Sequence, residues 1–233
     1  MSEGLKPVGK GRKVVVLILM LVLVPAAIFL FWGSKGHYRY LPYIGERVAN
    51  APGDTTYFTV PPFHFIDEDG RPFTDKDVEG KILVVDFFFT HCTSICPKMS
   101  VQMQQLQLQL DDSKYNDVLF LSHTVDPDND TPEVLKAYSK RLEADSTRWK
   151  FLTGNAPDIY RQGNLGYLLS ANADSAAAEQ FVHSPQFVLV DKRHHIRGMY
   201  DGTSTESMRE LKTDLDMLIH EEVDRARAAA KDS

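Results

Sequence analysis

Apolar residues form one long run near the start of the chain and a series of short runs further along. The long run covers 14–32 without a charged side chain, and as a helix rising about 1.5 Å per residue it matches the thickness of the hydrocarbon core of a bilayer. Basic side chains are concentrated just before it, at Lys6, Lys10, Arg12 and Lys13. The pattern predicts a single transmembrane anchor at 14–32, with residues 1–13 in the cytoplasm and the rest of the chain across the membrane.

A cleaved signal peptide is the alternative interpretation of this run. The apolar region of a signal peptide spans about 7 to 15 residues and ends at small residues, whereas Ala26-Ala27 here is followed by further apolar residues up to Trp32. We therefore expect an uncleaved anchor. The N-terminus also lacks a long presequence rich in arginine and serine. This favours a bacterial inner membrane, with the following domain in the periplasm, over a mitochondrial location.

The shorter apolar runs after the anchor predict alternating strands and helices. We assign 33–54 to a juxtamembrane segment and linker, and 55–233 to one folded domain. Strands are predicted at 63–66, 72–74, 82–89, 118–124, 150–152, 186–190 and 196–200, and helices at 97–110, 131–142, 155–163 and from about 203 onwards. This alternation predicts an α/β fold in which helices cover both faces of a mixed sheet.

Local signals support several of these elements. The run 82–89 is almost entirely apolar, which is typical of a central strand buried on both faces. Thr131 and Pro132 have the side chains preferred at a helix N-cap and in the first turn. Thr203 and Glu206 have the spacing of a capping box for the last helix. The buried stripe of that helix is predicted at Met208, Leu211, Leu215 and Leu218.

Composition and charge narrow the classes of function. Hydrophobic residues make up 43% and charged residues 25% of the 233 residues, which argues against a disordered chain and a polytopic membrane protein. The formal net charge is −6, so a nucleic-acid partner is not expected. The 2 cysteines are too few for a multi-disulfide scaffold or a four-cysteine zinc site.

These two cysteines are the strongest candidates for chemistry. Cys92 and Cys96 lie where the predicted central strand ends and a helix begins, and their spacing puts both sulfurs on one side of a helical turn. Three interpretations are open: a structural disulfide, a thiol–disulfide enzyme and a metal site. A disulfide closing so short a loop would add little stability. Soft thiolates outside the cytoplasm favour Cu(I).

The cysteine motif and two later segments resemble the Sco (SenC) family of copper chaperones. The matching segments are Phe88-Phe89-Thr90-x-Cys92-x-x-x-Cys96-Pro97, Val125-Asp126-Pro127-Asp128-Asn129-Asp130-Thr131-Pro132-Glu133-Val134-Leu135 and Val182-His183-Ser184. Together they extend the resemblance over nearly the whole domain after the anchor. Two positions depart from the family: Asn129 replaces a common arginine, and Arg193-His194 replaces a common glycine.

The resemblance implies both a fold and a function. The fold would be thioredoxin-like, and the copper ligands would be Cys92, Cys96 and His183. Cu(I) would be the bound ion, with Cu(II) as a further possibility. The implied role is to assist assembly of the copper centre of cytochrome c oxidase subunit II, by copper delivery, by thiol reduction or by both. Other copper chaperones and thiol–disulfide oxidoreductases are further implied partners.

The alternative function is an enzyme of the same fold without a copper role. In a thioredoxin-like thiol–disulfide oxidoreductase or peroxide reductase, Cys92 and Cys96 would be the redox-active pair, and His183 would have no effect on their reactivity. The sequence leaves the choice between these functions open.

Residues around the motif carry further expectations. Thioredoxin-like folds have a cis-proline facing the reactive cysteines, so the Ser184–Pro185 bond is predicted to be cis. His91 is expected to be an exposed loop residue rather than a fourth ligand.

Four other side chains near the motif are also considered. Met99 and Met103 have helical spacing and are expected in the core, although a thioether can bind Cu(I). His123 and Asp126 end a core strand and are expected near the cysteine loop, with Asp126 capping the loop backbone.

Overall fold

The structure is a computed structural model that describes residues 19–26, 40–51, 54–110, 113–169 and 184–231. The chain divides into two units, Met1–Arg39 and Tyr40–Ser233. In the first unit, residues 19–26 are helical and exposed. Among the described residues, no helix combines the length and the apolar character needed to cross a membrane. Most of the predicted anchor at 14–32 lies outside the described residues, so the anchor stays a prediction.

The second unit is built on a seven-stranded mixed sheet, with strand order β4-β3-β7-β6-β5-β8-β9. A separate two-stranded sheet pairs β1 with β2. The strands are β1 Arg47–Ala51, β2 Asp54–Tyr57, β3 His64–Asp67, β4 Pro72–Thr74, β5 Ile82–Phe88, β6 Val118–Thr124, β7 Trp149–Thr153, β8 Gln186–Val190 and β9 Ile196–Asp201.

Among the described residues of this unit, four α-helices connect or follow the strands. They are α1 Cys96–Gln109, α2 Pro132–Arg141, α3 Ala156–Arg161 and α4 Thr205–Ala229. Short 3₁₀ turns occupy Asp75–Val78 and Ser113–Tyr115, and a π-helical turn, Gln162–Gly166, extends α3. The predicted elements are therefore present, with ends that differ by a few residues.

The central strand has a hydrophobic core on each face. β5 pairs in parallel with β6 and antiparallel with β8, and all seven of its residues are buried. Alternate side chains point to opposite faces of a strand, so Val84 and Phe88 pack with residues of α1, α2 and α4, while Val85 and Phe87 pack in the core that includes Ile159 of α3. The predicted mixed sheet with helices on both faces is confirmed.

The helix signals are confirmed at one helix and corrected at another. Thr131 caps α2 by accepting a hydrogen bond from the backbone N–H of Val134. The predicted capping box of the last helix is wrong, because Ser204 rather than Thr203 is the N-cap. The Thr203 hydroxyl instead donates to the Asp201 carboxylate at 2.6 Å. The predicted stripe of α4 is buried at all four positions, Met208, Leu211, Leu215 and Leu218.

A buried arginine on the sheet forms hydrogen bonds with the first residues of the second unit. Arg197 on β9 is fully buried and forms ion pairs with Asp191 and Glu221. Its remaining N–H groups donate to the backbone carbonyls of Leu41 at 2.6 Å and Pro42 at 3.1 Å. A guanidinium has five N–H donors that must be satisfied when it is buried. The carbonyls of residues 41–42 therefore accept the Arg197 N–H groups that the two carboxylates leave without an acceptor.

Candidate functional site

The two cysteines lie at the carboxyl end of β5, where the chain leaves the sheet and enters α1. The backbone N–H of Cys92 donates to the Phe89 carbonyl at 3.2 Å, which folds residues 89–92 into a turn. Cys96 is the first residue of α1, and Pro97 follows it in the first turn, where no backbone N–H is needed. Both side chains are buried, with exposed fractions of 8% and 4%, and both are free thiols.

The two thiols have pKa values that move in opposite directions. Burial raises the pKa of Cys92, but hydrogen bonds from Cys96 and Ser94 outweigh burial and lower this pKa to about 7. Burial, together with the hydrogen bond that Cys96 donates to Cys92, raises the pKa of Cys96 to about 12. The pair therefore loses its first proton from Cys92, while Cys96 keeps its proton and stabilises the Cys92 thiolate.

A buried carboxylate joins the cysteine loop to the neighbouring strand. Asp130 is fully buried and accepts hydrogen bonds from the backbone N–H of Thr90 at 3.1 Å and from the Thr90 hydroxyl. It also accepts one from the hydroxyl of Thr124 at 2.5 Å. Sequence reasoning gave Asp130 no role. The adjacency of the parallel strands β5 and β6 could have suggested one, because their carboxyl ends meet at the same edge of the sheet.

A second carboxyl group lies beneath the site on the central strand. Asp86 is only 3% exposed, and it accepts a hydrogen bond from the Ser122 hydroxyl at 2.5 Å. Ser122 in turn accepts one from the indole N–H of Trp149 at 2.9 Å. Burial raises the pKa of Asp86 to about 7, and negative charge on Asp86 raises the pKa of Cys96. The signal for this residue was its position as the charged side chain in an otherwise apolar strand.

The third predicted ligand, His183, lies outside the described residues. The Ser184–Pro185 peptide bond is described, and the prediction that it is cis is wrong. No cis peptide bond occurs among the described residues, so the Ser184–Pro185 bond is trans. The trans isomer is favoured even before proline by about 0.5–1 kcal/mol. The Pro185 carbonyl accepts a hydrogen bond from the Gly202 backbone N–H at 2.7 Å.

The expectations for His91 and the two methionines agree with the structure. His91 is exposed, and its Nδ1 lies 3.1 Å from the Thr90 hydroxyl. Met99 and Met103 have no exposed surface and belong to the core between α1 and the sheet. We therefore assign the methionines to packing.

The expectations for His123 and Asp126 need correction. His123 points to the opposite face of the sheet from the cysteines, where it stacks on Phe87 with ring centroids 4.8 Å apart. Burial lowers its pKa to about 3, so the imidazole is neutral. From the residues that the structure describes, the Asp126 carboxylate accepts hydrogen bonds from the side-chain amide of Asn129 at 2.9 and 3.0 Å and none from a backbone N–H.

Comparisons with known proteins agree on one family. The model of the SCO1/SenC family matches residues 52–220. A SCO1 protein homolog of Bacillus subtilis is 28% identical over 193 residues, which are 83% of this chain and 93% of the relative.

Solved structures show the same fold. BsSco, a member of the Sco family of cytochrome c oxidase assembly proteins in which a disulfide switch was identified, is 29% identical with a TM-score of 0.59, over 70% of this chain and 94% of BsSco. Yeast Sco1, solved with copper bound, is 24% identical with a TM-score of 0.51, over 66% of this chain and 91% of the yeast chain.

Proposed function

Because the chain belongs to the SCO1/SenC family, we propose that it is a copper-binding protein that assists assembly of cytochrome c oxidase. In this proposal Cys92, Cys96 and His183 bind copper, and the recipient is the copper centre of oxidase subunit II. The observation that carries the proposal is the pair of buried free thiols, with Cys96 at the first residue of α1 and Cys92 in the loop before it.

The chemistry of the donor set suits Cu(I). Thiolates are soft ligands that select Cu(I) over hard cations, and Cys92 ionises near neutral pH, since its pKa is lowered to about 7. Metal binding requires the second thiol to lose its proton too, and the charge of the ion supplies the attraction for this. Copper is the cargo of the protein, so it must bind in a site that a partner can open.

The strand register supports His183 as the third ligand. β8 runs antiparallel to β5, with Val85 opposite Val188 and Leu83 opposite Val190. Continued towards the start of β8, this register brings residue 184 level with residue 89, where the cysteine loop begins. His183 directly precedes Ser184 in the chain, and this adjacency supports its assignment as the third ligand in the proposal.

Two modes of action are compatible with this site. A copper ion with three ligands leaves a position open for a thiol of the recipient, which then takes over the ion by ligand exchange. Without copper, the Cys92 thiolate can attack a disulfide of the recipient, and Cys96 then displaces the recipient's sulfur. Two thiols of this chain become a disulfide, and the recipient's disulfide gains two electrons and two protons.

The alternative is a thiol–disulfide oxidoreductase or peroxide reductase without a copper role. The lowered pKa of Cys92 favours it, because a thiolate at neutral pH is the nucleophile in both reactions. His183 distinguishes the two functions. In the copper-binding protein His183→Ala weakens copper binding, whereas in the alternative it changes neither thiol exchange nor peroxide reduction.

We also propose that residues 14–32 anchor the chain in the inner membrane, with the second unit in the periplasm. The uncharged run and the basic residues before it support this orientation. Reporter fusions at the C-terminus test it, since alkaline phosphatase is active only outside the cytoplasm. An inactive phosphatase fusion beside an active cytoplasmic reporter would contradict the proposal.

Copper transfer tests the proposed function directly. The Cu(I)-loaded full-length chain is mixed with the copper-free soluble domain of oxidase subunit II, and copper is measured in each protein after separation. We expect copper to appear on subunit II, and transfer to be lost with Cys92→Ser or Cys96→Ser. Copper that stays on the wild-type chain, together with rapid reduction of the cysteines of subunit II, would leave thiol reduction as the function.

A further inference from the structure

The loop that presents the cysteines is joined to the neighbouring strand β6 through one carboxylate, that of Asp130. Among the described residues, the hydrogen bonds that join residues 90–95 to an element other than α1, the helix they lead into, all end on Asp130. The two carboxylate oxygens of Asp130 have different donors. Oδ1 accepts a hydrogen bond from the Thr90 hydroxyl, and Oδ2 accepts hydrogen bonds from the Thr90 backbone N–H and from the Thr124 hydroxyl on β6. The loop is thereby tied to the strand beside the one from which it emerges.

Asp130 is not needed by its own helix. The α2 helix that follows is capped by Thr131, whose hydroxyl accepts the N–H of Val134. The first turn of α2 carries its own acidic residue, Glu133, which accepts a hydrogen bond from Thr131 at 2.9 Å. Within the described part of the chain, the Asp130 carboxylate accepts three hydrogen bonds, all from outside α2, and two of them come from the cysteine loop.

The burial of this carboxylate makes the tether rigid. A buried charge without partners is costly, so Asp130 must keep its donors while the protein is folded. Hydrogen bonds to an ionised group are also stronger than those between neutral groups. Thr90 is two residues before Cys92, so a fixed Thr90 limits the positions available to the Cys92 sulfur relative to Cys96.

We propose that Asp130 is a positioning residue of the copper site, which acts through Thr90 to hold Cys92 at the distance from Cys96 that the metal requires. The proposal rests on the proposed function, because it concerns the same site. Partners that orient metal ligands from outside the ligand set are worth about 10- to 100-fold in metal affinity. Asp130 acts through the backbone rather than on a ligand, so we expect an effect at the lower end of this range.

A double-mutant cycle on the full-length chain in detergent solution tests the proposal. Cu(I) affinity is measured by competition with a chelator for the wild type, Asp130→Asn, Thr90→Val and the double variant. Each single substitution is expected to weaken binding about tenfold. The double variant should be no weaker than the weaker single variant, since both changes break the same link. Additive losses would contradict a shared tether.

Asp67 provides the matched control. It is also a buried carboxylate, and it accepts the backbone N–H groups of Asp69 at 3.0 Å and Arg71 at 2.8 Å in the hairpin between β3 and β4. Asp67→Ala should lower the thermal stability of the chain while Cu(I) affinity stays at the wild-type value. If Asp67→Ala weakens copper binding as much as Asp130→Asn does, the effect of Asp130 is general destabilisation and the proposal is wrong.

A readout without copper separates this proposal from the proposed function. In the metal-free chain, iodoacetamide should alkylate Cys92 several-fold faster in Thr90→Val and Asp130→Asn than in the wild type, because the loosened loop exposes the sulfur. If the wild-type chain fails to bind copper, the proposed function fails. The rate of Cys92 alkylation then decides by itself whether Asp130 holds the loop through Thr90. Unchanged alkylation in both variants would overturn it. If Asp130→Asn does not fold, Thr90→Val decides, since valine keeps the shape of threonine.

Discussion

Asp86 lies in the middle of the central strand, with its carboxyl group buried beneath the cysteine site. Burial raises its pKa from 3.8 to about 7, so the folded protein holds a proton on Asp86 at pH values where the unfolded chain has released it. Asp86→Asn removes the ionisable group, keeps the size of the side chain and retains an oxygen that can accept the hydrogen bond of Ser122.

The magnitude follows from the difference between the two pKa values. The difference is about 3, and each pKa unit corresponds to about 1.4 kcal/mol, so the effect is about 4 kcal/mol. Between pH 4 and pH 7 the folded state binds more protons at this site than the unfolded state. The free energy of unfolding of the wild type therefore falls as pH rises through this window, relative to a protein without the group.

The assay is urea unfolding of the wild type and Asp86→Asn at a series of pH values between about 4 and 8, followed by circular dichroism. Other titrating groups are common to both proteins and cancel in the difference. We expect Asp86→Asn to gain stability relative to the wild type as pH rises, by about 4 kcal/mol across the window. A difference that does not change with pH, or that falls, would refute the reasoning that Asp86 is protonated in the folded state.

Two further predictions concern the thiols and the buried arginine. In the copper-free chain, the rate of Cys92 alkylation by iodoacetamide should rise with pH to half its maximum near pH 7, because the thiolate is the reactive form. Cys96, whose pKa is raised to about 12, should stay unreactive in this range. Equal labelling of both cysteines, measured by peptide mass spectrometry, would contradict the assignment. Arg197→Met should lower the free energy of unfolding by about 3–5 kcal/mol, because two buried carboxylates, Asp191 and Glu221, lose the fully buried cation between them. They keep only the partly exposed Arg193 and Arg225 as cationic arginine partners. The matched control is Arg209→Met. The ion pair of Arg209 is exposed on both sides and should contribute at most about 1 kcal/mol. Similar losses of stability for the two variants in urea unfolding would count against the buried network.

The elements that the sequence predicted well are those set by local patterns. β5 and β6 each begin with four consecutive apolar residues, and the hairpin between β3 and β4 has its turn at Gly70, where φ is +77°. The start of α4 was misplaced by one residue, because Thr203 and Ser204 are adjacent and both can cap a helix. Local chemistry alone does not choose between two such neighbours.

The parts of the site that depend on distant contacts were not predictable in this way. The spacing of Cys92 and Cys96 identified the pair, but the role of Asp130 depends on Thr90, which is 40 residues away in the chain. The expectation for His123 was wrong because it used the position of the residue at the end of a strand and ignored the face of the sheet to which its side chain points. Adjacent residues on β6 alternate between the two cores, and the His123 ring contacts Phe65 and Phe87 in the core opposite the cysteines.

A Cu(I) titration tests the central claim most directly. The full-length chain, with its cysteines reduced, is titrated in the presence of a competing chelator beside Cys92→Ser, Cys96→Ser and His183→Ala. His91→Ala is the control, because this exposed histidine adjoins the first cysteine without being a proposed ligand. The account predicts one tightly held copper per chain that is weakened in all three ligand variants and unchanged in the control. Wild-type binding no tighter than that of the three ligand variants would contradict it.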